Sequence, residues 1–121
     1  MIEWDEATGV PARVLEGHTN TVFCAAMVGD ATFVSGSGDN TLRRWRVDDG
    51  SPVRTYEGHT NQVFCVAMVG DGVRMVSGSM DDTLIIWALE VSAALLTLSG
   101  HGGTVYCVVM VGELIVSGSE D

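Results

Sequence analysis

The chain repeats itself. Residues 16–28 read EGHTNTVFCAAMV and residues 57–69 read EGHTNQVFCVAMV, identical at 11 of 13 positions, and residues 99–111 carry a looser third copy. Other landmarks recur in step: Gly-His at 17–18, 58–59 and 100–101, Val-Ser-Gly-Ser at 34–37, 76–79 and 116–119, and the tryptophans Trp4, Trp45 and Trp87. The period is 40 to 42 residues, and units of that length hide their apolar faces against their neighbours.

Composition says what the units are made of. Fifteen glycines and two prolines among 121 residues separate short segments rich in Val, Thr, Phe and Leu, which is an all-β pattern. Charge narrows the function. Sixteen acidic residues face six arginines and no lysine, a net charge of −10, so the chain cannot build the basic stripe that neutralises nucleic-acid phosphates or an anionic membrane. Its longest apolar runs are far shorter than the roughly 20 residues of a membrane-spanning helix, and no basic segment followed by a long apolar one opens it as a secretory leader does. An intracellular, cytoplasmic protein is expected.

A 40-odd period with Gly-His near its start and Trp near its end resembles the WD40 repeat, in which each repeat forms one four-stranded propeller blade. The likeness covers the whole chain. It departs from the family pattern where Trp45-Arg46 and Trp87-Ala88 replace the Trp-Asp kept at Trp4-Asp5, and where Met-Val-Gly follows the first strand. The resemblance implies strands c (1–4) and d (11–15), two full a-b-c-d sets, then a (104–111) and b (114–119). The division is thus a half blade at 1–15, blades at 16–57 and 58–98, and a half blade at 99–121. Asp121 matches Asp39 and Asp81, whereas Met1 matches Leu42 and Leu84, so the two ends read as halves of one blade.

Three blades leave two open faces and unpaired edges. Closing alone, they would turn about 120° per step against about 50° in a seven-bladed ring. Closure by homo-oligomerisation is expected instead, a head-to-tail contact in which one chain's a and b strands pair with the c and d strands of the next. Two chains give six blades and three give nine. The trimer is favoured over the dimer, because six blades crowd six aromatic rings onto the narrowest circumference, where overpacking typically costs about 1–3 kcal/mol per misfit.

The resemblance also assigns the histidines. It implies that each bonds a strand-b serine, the turn aspartate and the strand-c tryptophan: His18 with Ser35 or Ser37, Asp39 and Trp45; His59 with Ser77 or Ser79, Asp81 and Trp87. His101, with Ser117 or Ser119 and Asp121, needs Trp4 of another chain. A metal site is not expected, since no Cys or His stands three or four residues from any of them. Cys24, Cys65 and Cys107 recur at one position, too far apart to pair, and read as buried small hydrophobes. Met27, Met68 and Met110 read as core. In the WD40 pattern Val22, Val63 and Val105 point between blades, which turns Thr21, Phe23, Gln62, Phe64, Thr104 and Tyr106 toward the central channel as a candidate ligand-binding face.

No catalytic set or cofactor site emerges. Carboxylate pairs such as Asp48-Asp49 and Asp81-Asp82 sit in turns, and the glycine-rich Gly36–Asp39 stretch lacks the helix that would cradle a phosphate. The expected function is a non-enzymatic propeller, a scaffold for basic or amphipathic protein or peptide partners. The alternative is a natural or engineered segment of a longer propeller with no binding function of its own, to which Met1 inside a strand points.

Overall fold

A computed structural model describes Ile2–Trp4 and residues 11–121, with side chains from Leu15 onward. Twelve strands occupy these residues: β1 (Ile2–Trp4), β2 (Pro11–Val14), β3 (Val22–Val28), β4 (Thr32–Ser37), β5 (Thr41–Arg46), β6 (Pro52–Glu57), β7 (Val63–Met68), β8 (Arg74–Ser79), β9 (Thr83–Ala88), β10 (Ala93–Ser99), β11 (Val105–Val111) and β12 (Leu114–Ser119). They form two four-stranded antiparallel sheets, β3-β4-β5-β6 and β7-β8-β9-β10, and two two-stranded ones, β1-β2 and β11-β12. No helix among the described residues is long and apolar enough to cross a membrane.

Every unit uses the same turn chemistry. Between β4 and β5, Ser37 Oγ accepts the Asp39 amide at 3.1 Å, and Asn40 takes a left-handed φ of 74°. Between β8 and β9, Ser79, Asp81 and Asp82 repeat the arrangement. Asn and Asp tolerate this conformation where bulkier residues do not. A bulge early in β3, β7 and β11 separates Val22 from Cys24, Val63 from Cys65 and Val105 from Cys107 in the pairing.

The core lies between sheets, because period-two alternation turns each strand's apolar residues to both faces. Val34, Leu42 and Tyr56 of the first four-stranded sheet meet Val63, Met75, Ile85 and Trp87 of the second. Cys65, Val76 and Leu84 of the second meet Val105 and Val108 of β11. Strands β3, β7 and β11 pack side by side as the inner row. Beyond the outermost sheets the faces stay open: Val109, Val111, Leu114 and Val116 are exposed at one end, and Met27 at the other.

Open ends explain two departures from expectation. Cys65 is buried and Cys24 half-buried, but Cys107 is exposed. Val63 and Val105 of the following sheets lie over Gly36 and Gly78 beside Cys24 and Cys65, whereas only the Cys107 sulfur lies near Gly118. Met27 is likewise exposed, while Met68 packs against the core.

Candidate functional site

The regular polar set is built first. His18 Nδ1 lies 2.8 Å from Asp39 Oδ2 and its Nε2 lies 2.7 Å from Ser35 Oγ, while Trp45 Nε1 donates to the same hydroxyl at 2.9 Å. The second sheet repeats this with His59, Asp81 (2.8 Å), Ser77 (2.6 Å) and Trp87 (2.7 Å). Burial alone raises the Asp39 carboxyl, but bonds from Thr41, His18 and Thr19 outweigh it and hold the group down at about 2. An ionised carboxylate only accepts, so His18 Nδ1 donates to Asp39, while its Nε2 meets the Ser35 hydroxyl. Trp45, Ser35, His18 and Asp39 form one connected hydrogen-bond set. The first serine of each Ser-Gly-Ser takes the histidine. The second serves the turn: Ser79 Oγ donates to the Gln62 carbonyl at 2.7 Å, and Ser37 and Ser119 donate to Asn20 and Gly103.

The third set is looser. His101 bonds Ser117 at 2.7 Å and Asp121 at 3.1 Å, with both partners partly exposed. Trp4 lies on β1, and its side chain falls outside the described residues. Both ring nitrogens of all three histidines are engaged in hydrogen bonds. Burial pushes the Cys24 and Cys65 thiols up to about 11 and about 12, which removes their nucleophilic thiolates. Among the described residues no group of side chains is arranged to hold a metal ion.

The aromatic positions come together on the inner row. Phe23 and Phe64 meet edge to face with centroids 4.6 Å apart, and Phe64 and Tyr106 follow at 5.5 Å. Phe23 is 42% and Tyr106 51% exposed, so three rings form one continuous wet ladder. Thr21 is exposed and Gln62 half-buried beside it, whereas Thr104 is buried and its amide points to Glu120. Glu120 was not legible beforehand: its repeat equivalents are Gly38 and Met80, so periodicity gave no sign of a carboxylate there. It accepts the Tyr106 hydroxyl at 3.1 Å, and this contact raises the Tyr106 pKa. The ladder thus ends in a negative group on an exposed ring, an arrangement suited to a cationic or amphipathic partner.

Stacked antiparallel sheets, an inner strand row and a repeated Trp-Ser-His-Asp set define a propeller-type repeat protein. The family model described as "WD domain, G-beta repeat" matches residues 9–46, 50–88 and 93–121, and the chain belongs to the WD40 family. Among solved structures it is similar to that titled "Structure of U3-55K", at 25% identity and a TM-score of 0.81 over 87% of this chain. The chain spans 35% of that protein's length. No curated protein matches it. WD40 propellers are generally non-enzymatic scaffolds.

Proposed function

We propose that the chain is a protein or peptide interaction scaffold, assembled from identical copies that share a split blade, with the trimer favoured over the dimer. It binds basic or amphipathic segments along Phe23, Phe64 and Tyr106. The exposed ring ladder ending at Glu120 carries this reading, and a charge of −10 per chain supports it by steering cationic partners at low ionic strength. Assembly would bring further ladders together around one axis. The free thiols of Cys24, Cys65 and Cys107 support work in a reducing compartment.

Fluorescence anisotropy with labelled Arg/Leu and Glu/Leu peptides tests the ligand class. The basic peptide is expected to bind, more weakly as salt rises, and Phe64→Ala is expected to weaken it roughly tenfold or more, as truncation of a central aromatic anchor does. Preference for the acidic peptide, or binding indifferent to Phe64, overturns the reading. One observation favours a second reading: the match spans about a third of U3-55K, as a piece of a longer propeller without binding function of its own would. Absolute solution mass separates the two.

A further inference from the structure

Four of the six arginines stand on β5 and β6, and two of them oppose each other, since Arg44 pairs with Arg54 in the β5–β6 register. Like charges set directly across a strand pair repel. The fold does not demand them, because the equivalent pair in the second four-stranded sheet is Ile86↔Leu96. Both side chains reach from the first sheet to the turn between β9 and β10 of the second. They lie on the outer strands, away from the ring ladder of the inner row.

Their countercharge is incomplete. Arg44 Nε donates to Thr32 Oγ1 and its Nη1 to Glu90 Oε1, each at 3.0 Å. The Arg44 side chain is 13% exposed and that of Glu90 70%, so this carboxylate is held loosely from the water side. Arg54 has no carboxylate partner among the described residues. Its Nη1 reaches Ser92 Oγ at 3.4 Å, and its Nε is buried with no hydrogen-bond partner, an unmet donor that calls for an acceptor. The neighbouring Tyr56 hydroxyl supplies none, because it donates to the Leu89 carbonyl at 2.6 Å. Ser92 takes a left-handed φ of 54°, which costs a serine free energy, and from there its half-exposed side chain presents a hydroxyl to the Arg54 guanidinium.

We propose that Arg44, Arg54 and Ser92 bind a phosphoryl group, as free phosphate or as a phosphate ester, where the two four-stranded sheets join. A phosphate monoester carries a charge of about −1.5 to −2 at neutral pH and three strong acceptor oxygens. That suits two guanidinium forks and a hydroxyl together, whereas the carboxylate of Glu90 reaches Arg44 alone. On binding, the phosphoryl group takes the place of Glu90 beside Arg44. It also braces the join, because the arginines belong to the first sheet and Ser92 to the second. The site depends neither on the ring ladder nor on assembly of copies.

Isothermal titration calorimetry of the full chain at neutral pH and constant ionic strength tests it, with inorganic phosphate, a blocked phosphoserine and acetate as probes. Both phosphoryl probes are expected to bind saturably at a single site, and acetate is not. Arg54→Gln is expected to weaken phosphate binding about tenfold or more, as loss of a charged donor fork does. Glu90→Gln is expected to tighten it about threefold by removing an exposed competitor for Arg44, a gain that a merely structural ion pair would not give. Arg74→Gln, at an exposed arginine paired with Asp71, is expected to leave the affinity unchanged. Tighter binding of the blocked phosphoserine assigns the site to a phosphorylated chain, and equal or weaker binding assigns it to the free ion. Acetate bound as well as phosphate, no saturable heat, an affinity that ignores Arg54→Gln, or one that Glu90→Gln fails to raise overturns the proposal. The Glu90 variant decides it even where the Arg54 variant does not fold.

Discussion

At the scale of residues, His59 and the aspartates Asp39 and Asp81 make the fold sensitive to acid in two ways. Burial holds the His59 pKa below the ordinary value, against an opposing pull from Asp81. The unfolded chain therefore takes up that proton first, and stability falls as pH drops below about 6.5. The aspartates work lower down. Asp39 is held near 2 and Asp81 is lowered by Thr83 and His59 despite its burial, so their stabilisation is present above about pH 4 and is lost as pH falls toward 2. Denaturant midpoints are expected to decline gently from pH 7 to 5 and steeply below 4. A midpoint flat from pH 7 to 3 would show that the histidine and aspartate bonds contribute nothing. Much of this set was legible, because His, Asp and Trp recur with the period at the positions that the WD40 resemblance links. The choice of Ser35 over Ser37 was not, since two serines two residues apart lie on one face of a strand.

Strands and turns carry their own lesson. Composition gave only the all-β pattern, and the WD40 resemblance made all twelve elements readable, since a strand exposed on two faces to neighbouring sheets needs β-branched and aromatic residues throughout. The interblade contacts were not readable: Arg44, Ile86 and Glu3 occupy one repeat position with three chemistries, so no motif marks it. Glycine separates the elements experimentally. Gly58→Ala drives a methyl group into the Trp87 ring and is expected to cost about 1–3 kcal/mol, the usual range for overpacking. Gly100→Ala meets open space and is expected to leave stability within about 0.5 kcal/mol of the parent. Equal losses of stability from both substitutions in dilute protein would contradict the difference between the two glycines.

Across the whole molecule, each core cluster is half built by one sheet and half by the next, so stability belongs to neighbours in contact and spreads along the stack. The outermost apolar faces are the same kind of surface as the buried ones, left without a neighbour. Cys107 lies on that boundary. Its counterparts Cys24 and Cys65 are shielded by the following sheet and hold their protons tightly, while Cys107 is open to water. Under the proposed assembly, Cys107 would report closure of the ring. A maleimide is expected to tag one thiol per chain in dilute protein, at Cys107, and, under the proposed assembly, to slow sharply as concentration rises. Tagging at an unchanged rate across that range would mean that the joined copies leave this face wet.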